Sequence, residues 1–130
     1  MVKPTERVTV LAYAKCATCT KALRWLEAHG IEPIVRPIVD EPPTLRELTE
    51  WIPASGTGVR KWLNTSGQSY RAIGKPKFDA ASDAEIIRWL TEDGKLVKRP
   101  VLVRAAGRAG ANDPRVLVGF RPEAYEELFG

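Results

Sequence analysis

Cys16 and Cys19 are the only cysteines in 130 residues, three positions apart in "YAKCATCTKALRWL". They sit at the seam between an apolar run and an apparent helix, which narrows what the sulfurs can do. A zinc centre takes four ligands as a rule. Beyond the two cysteines the chain offers one histidine, His29, and no second ligand pair at finger-like spacing, so no metal is expected. A structural disulfide between i and i+3 closes a very short loop and constrains the unfolded chain little. A reducing cytoplasm would also oppose it. Thiol chemistry is the stronger reading. Free N–H groups and the dipole at a helix start stabilise a thiolate, and C-x-x-C beside a βαβ pattern is a redox signature. Cys16 is therefore the candidate nucleophile. Cys19, one turn on, is either the thiol that resolves a mixed disulfide at Cys16 or a small buried hydrophobe on the helix's inner face.

The elements that must position this pair follow from periodicity and turn chemistry. "RVTVLAY", residues 7–13, is β-branched and apolar and reads as a buried strand. Thr18 is the expected cap of a helix with Cys19, Ala22, Leu23 and Leu26 inward and Gly30 as its stop. "IEPIVRPIV" is a second strand, placed at a sheet edge because Pro33 and Pro37 lack donors. Thr44 and Glu47 form a capping box before a helix with Leu45, Leu48 and Ile52 on one face. Residues 59–64 read as a shorter helical stretch, and "NTSGQSYR" as a turn leading into a helix. Ser82 and Glu85 form a second capping box, for a helix that turns Ile86, Ile87 and Leu90 inward and stops at Asp93-Gly94. "RPVLVRA" and "RVLVGF" are strands, with "AGRAGAND" as a hairpin loop between them. Pro122 opens a last helix with Tyr125, Leu128 and Phe129 on one side. The order is β-α-β, a helical block, then α-β-β-α. It implies one α/β domain over 1–130, a thioredoxin-like mixed four-stranded sheet with flanking helices and a central helical insertion at about 41–80.

Composition limits the partners. Apolar residues make up 44% and charged residues 28%, as in an ordinary globular domain. The apolar runs are too short to span a membrane. "MVKPTERVTV" carries charges where a signal peptide needs its apolar stretch, so the cytoplasm is the expected location. The net charge of +4 is scattered rather than clustered, which disfavours a nucleic-acid face and leaves a small anionic substrate compatible. His29, near a helix C-terminus, has no partner to make it a base. Trp25, Trp51, Trp62 and Trp89 lie on helical segments and are expected to pack rather than stack on bases.

"YAKCATCTKALRWLEAHGIE" resembles the opening of the thioredoxin-fold arsenate reductase family, which includes the Spx and MgsR transcriptional regulators. "EPPTLREL", "RKWLNTSGQSYR", "DGKLVKRPVLV" and "VGFRPEAYEELFG" continue the likeness in the same order, over nearly the whole chain. The resemblance implies a nucleophile at Cys16 and three arginines around an oxyanion: Arg60 in "VRK", Arg99 in "KRPV" and Arg121 in "GFRP". Arginine suits the task as a permanently charged, fork-shaped donor. The resemblance also implies a cis peptide at Pro100, facing the cysteine loop. No cofactor is expected to be bound; glutathione, glutaredoxin or thioredoxin is the implied electron donor. The family's arsenate reductases carry serine where this chain has Cys19, whereas C-x-x-C is typical of the Spx-like members. The leading expectation is a thiol-dependent oxidoreductase acting on an oxyanion or disulfide. The alternative is an Spx-like redox-sensing regulator that binds RNA polymerase.

Overall fold

The computed structural model describes residues 7–105 and 115–129. The chain before Arg7 and the hairpin loop expected at 106–113 lie outside that range. Four strands, β1 (Val8–Ala12), β2 (Ile34–Pro37), β3 (Val101–Arg104) and β4 (Arg115–Val118), form one sheet in the order β2-β1-β3-β4. β1 pairs with β2 in parallel, and β3 pairs antiparallel with both β1 and β4. This is the mixed, thioredoxin-like sheet that the element order implies. β2 lies at the edge, where Pro37 belongs, and leaves Ile34 and Val35 more than half exposed.

Alternation along β1 divides the core between the two sheet faces. Val8, Val10 and Ala12 pack with Cys19, Ala22 and Leu26 of α1 (Ala17–Ala28) and with Tyr125 and Leu128 of α6 (Pro122–Phe129). Leu11, Val101, Val103 and Val116 belong to the second core. There they join Leu48 and Trp51 of α2 (Leu45–Ala54) and Ile86 and Leu90 of α5 (Asp83–Glu92). A 3-10 turn (Val59–Trp62), α3 (Gln68–Ile73) and α4 (Lys75–Ala80) lie between α2 and α5. Trp62 is fully buried, Trp51 nearly so, and Trp25 and Trp89 are half-buried, all in packing roles.

Both capping boxes form as the sequence indicates, at Thr44–Glu47 and Ser82–Glu85. Gly30 closes α1 at φ +74°, a conformation that costs glycine least. Three local expectations are corrected. α1 begins before Thr18: its N-cap is Cys16, and Thr18 lies inside the first turn. Leu45 is 63% exposed, because α2 turns Leu48 and Trp51 to the core instead. Within the helical block, α4 is a separate helix that no cap or periodicity in the sequence marks; its short, charged segment carries only Phe78 inward.

One polar device ties the sheet edge to the helical block. Arg36 of β2 makes a two-pronged ion pair with Glu47 of α2, at 2.7 and 2.9 Å, and also donates to the carbonyls of Glu41 and Pro42. Burial pushes the Glu47 carboxyl up, but the Arg36 hydrogen bonds and the Thr44 amide outweigh it and hold the group below its ordinary value. Because Glu47 ionises at lower pH in the folded chain, its contribution is complete above the unfolded value, ~4.3. It is lost as pH falls through the lowered folded one. Glu47→Gln should therefore cost about 1–2 kcal/mol at pH 7 in urea unfolding and markedly less at pH 3. An equal cost at both pH values would contradict this role.

Candidate functional site

The β1–α1 junction presents the cysteines. The Cys16 amide donates to the Tyr13 carbonyl at 3.0 Å, turning the chain out of β1. Cys16 keeps an extended backbone, φ −102° and ψ 110°, and its Sγ accepts the Cys19 amide at 3.1 Å. The sulfur thus takes the position that a serine or aspartate oxygen normally occupies at a helix start. An amide donor and the N-terminal end of α1 thus converge on it.

Cys19 is 1% exposed while Cys16 is half-buried. Burial first, and then a hydrogen bond to the Cys16 sulfur, push the Cys19 thiol up to about 12; a backbone hydrogen bond at Tyr13 and the Arg99 charge pull the other way. Cys19 is therefore a protonated thiol at neutral pH, buried in the core behind Cys16. Tyr125 lies in the same core, and its buried hydroxyl has no hydrogen-bond partner among the described residues. Burial, and secondarily the nearby Cys19, push its ionisation up.

Cys16 opens into a cavity of about 530 Å³ lined by Thr18, Asn64, Ser66, Gly67, Lys98, Arg99 and Arg121 as well as the β4 end. Two walls are built by pairing of distant segments. The Lys98 amide donates to the Trp62 carbonyl at 2.7 Å and the Asn64 amide to the Leu96 carbonyl at 2.8 Å. The amide and hydroxyl side chains of Asn64 and Ser66 thereby stand near the cations of Lys98 and Arg99. Arg99 donates to the Lys95 carbonyl at 3.1 Å and lies 5.1 Å from the centre of the Tyr13 ring, a cation–π contact that steadies it beside the cysteine turn. The Arg99–Pro100 peptide is cis, and the Pro100 carbonyl accepts the Gly119 amide at 2.8 Å, which brings the end of β4 to the cavity.

The structure brings Cys16, Arg99 and Arg121 together, with Cys19 behind the sulfur. It does not bring Arg60. That guanidinium donates to the carbonyls of Phe78 and Ala81, at 2.9 and 3.0 Å, and satisfies the C-terminal end of α4. The cavity position nearest in sequence is held instead by neutral Asn64. Asn64, Ser66 and Lys98 were missed as site residues. "NTSG" carries only a turn signal, and Lys98 is one of 20 scattered basic residues. His29 lies away from the site, stacked on Trp25 at 3.7 Å with Nδ1 2.7 Å from the Trp25 carbonyl. Among the described residues no three His, Cys, Asp or Glu side chains gather as a metal-binding group.

Residues 11–128, the span from β1 into α6, match the ArsC family. The chain belongs to the ArsC family. It is 41% identical to an ArsC family related protein from Bacteroides fragilis of known structure, with a TM-score of 0.81 over 94% of this chain and 97% of that one. The uncharacterized protein YusI of Bacillus subtilis (strain 168) is 37% identical, covering 92% of this chain and 96% of its own. The regulatory protein MgsR of the same organism is 27% identical (90% and 86%), and an arsenate reductase of Escherichia coli is 26% identical (95% and 87%). This ArsC family member thus has relatives named as enzymes and as a regulator. No helix among the described residues is long and apolar enough to cross a membrane.

The two arginine placements separate cleanly by experiment. Arg121→Ala should weaken sulfate or phosphate binding about three- to tenfold, the loss expected for one exposed cation. Arg60→Ala should lower the unfolding midpoint while leaving anion affinity within twofold. Isothermal titration beside urea unfolding reads both. Loss of anion binding in Arg60→Ala alone would contradict the assignment.

Proposed function

We propose that this ArsC family chain is a thiol-dependent oxidoreductase in which Cys16 is the nucleophile and Cys19 the resolving thiol. The observation that carries the proposal is the placing of a helix-capping sulfur in one cavity with Lys98, Arg99 and Arg121, while a protonated thiol stands behind it. With a disulfide substrate, the Cys16 thiolate forms a new S–S bond to one sulfur and expels the other as thiolate. The Cys19 thiol loses its proton to solvent or to that leaving thiolate and attacks Cys16. The second thiolate leaves, and a Cys16–Cys19 disulfide remains. With an oxyanion, Cys16 displaces one oxygen from the central atom, which departs as water. Attack on Cys16 by a second thiol then returns the electron pair to the central atom and oxidises the two sulfurs to a disulfide.

In either case the cations hold the negative charge on the leaving or attached group. Glutathione, glutaredoxin or thioredoxin is the proposed donor that reduces the disulfide again. Cys19 starts as a high-pKa thiol, so its attack requires that its proton first pass to solvent or to the leaving thiolate. That order of events favours oxidation of the pair only after substrate has reacted.

The similarity to MgsR supports one alternative, a redox-sensing regulator that binds RNA polymerase and uses the same cysteine pair as its switch. Purified protein assayed for arsenate- and disulfide-dependent oxidation of a thiol donor, beside an RNA polymerase pull-down, separates the two. The enzyme reading expects turnover that Cys16→Ser abolishes and that Cys19→Ser slows or diverts to excess glutathione. Capture of RNA polymerase without turnover would overturn it in favour of the regulator.

A further inference from the structure

The "NTSGQSYR" segment borders the Cys16 cavity, yet its asparagine and glycine have no part in the chemistry above. Its contacts close on themselves. Asn64 Oδ1 accepts the Ser66 hydroxyl at 3.3 Å, and the Gly67 amide donates to the Asn64 carbonyl at 3.2 Å. Arg71 donates to the Ser66 carbonyl at 2.7 Å. One contact points outward: Asn64 Nδ2 donates to the Lys95 carbonyl at 3.3 Å. We propose that this turn is a latch for Arg99, with Asn64 as the positioning residue that holds the guanidinium at the Cys16 cavity. The proposal rests on the reading of Cys16 as nucleophile and adds a residue to that site.

The latch and Arg99 meet at one atom. Lys95 lies in the 3-10 turn Gly94–Leu96, which Asp93 caps by accepting the Lys95 amide at 2.9 Å. A longer 3-10 turn would direct the Lys98 amide to the Lys95 carbonyl. Here that amide goes to the Trp62 carbonyl instead, at 2.7 Å. The carbonyl left over is satisfied by two side chains, Asn64 Nδ2 at 3.3 Å and Arg99 Nη1 at 3.1 Å. Its two lone pairs are then in use.

Arg99 is thus fixed at one corner while the rest of its fork stays free. A guanidinium carries five donors. Among the described residues Arg99 makes one hydrogen bond and no ion pair, and the Tyr13 ring 5.1 Å away restrains it further. Both ends of the Asn64 amide, by contrast, have protein partners, so its task is to hold rather than to bind. Gly67 serves the same contact. Its φ of −88° suits any residue, but a Cβ there would lie 2.6 Å from Asn64 Nδ2.

The test follows Cys16 alone, in a Cys19→Ser background, with iodoacetate and with iodoacetamide. In both reactions the Cys16 thiolate forms an S–C bond and iodide leaves, but only iodoacetate brings a carboxylate to Arg99. Asn64→Ala should lower the iodoacetate-to-iodoacetamide rate ratio about two- to fivefold, the effect of one modest hydrogen bond. Gly67→Ala should do the same by displacing the Asn64 amide, and it carries the comparison should Asn64→Ala not fold. Arg99→Ala should lower the ratio further, and adding Asn64→Ala to it should change nothing more. An unchanged ratio in Asn64→Ala, or a fall of equal size without Arg99, would overturn the latch. Should Cys16 react with neither reagent, the nucleophile reading fails by itself, and the latch is judged by inorganic phosphate titrated into Cys16→Ser protein. Asn64→Ala should then weaken phosphate binding only where Arg99 is present. An unchanged affinity, an equal loss without Arg99, or no saturable binding would overturn the latch.

Discussion

The Cys16 sulfur does two jobs with one pair of electrons: it caps α1 by accepting the Cys19 amide, and it is the atom offered to the cavity. A helix start must have its orphan amides satisfied, and here the cap is a sulfur rather than an oxygen. The extended backbone at Cys16 and the bond from its amide to Tyr13 fix the sulfur at the mouth of the helix. The next turn then carries Cys19 into the core beside β1. Sequence spacing thereby becomes chemical asymmetry. One sulfur faces a cavity lined by cations, and the other is buried with its pKa pushed up to about 12.

The rest of the molecule supplies what that junction lacks. A sheet with β1 inside it and helices on both faces gives the cysteine turn a rigid base. The cations come from segments far away in sequence. The segment carrying Lys98 and Arg99 is held by the Lys98 amide on Trp62 and the Asn64 amide on Leu96, and Arg121 follows a strand whose end is tied to Pro100. Function and stability are partly separable here, because the Arg36–Glu47 pair and the Arg60 contacts with α4 serve the helical block without lining the cavity.

Much of this was legible in the residues. Capping boxes, alternation in β1 and proline-limited β2 are local signals, and each has a direct physical cause. The misplacements share a different cause. Thr18 is a better cap by type than Cys16, but the bend after Tyr13 puts the first free amides opposite the sulfur. Arg60 has the right chemistry for an oxyanion, yet four residues decide which side chain reaches the cavity, and the 3-10 turn there directs Arg60 to α4 and Asn64 to the pocket. Charge type is written in the sequence; direction depends on a turn whose geometry is set by packing around Trp62. Lys98 and Ser66 gave no signal of their own, since their importance comes only from the pairing of segments more than thirty residues apart.

The asymmetry of the two sulfurs is the central claim, and alkylation of single-cysteine proteins tests it most directly. Iodoacetamide reacts with thiolate, so the rate at pH 7 reports both ionisation and access. With burial pushing Cys19 up to about 12, Cys16 alone in Cys19→Ser should react at least about tenfold faster than Cys19 alone in Cys16→Ser. Faster alkylation of the lone Cys19 would contradict the account.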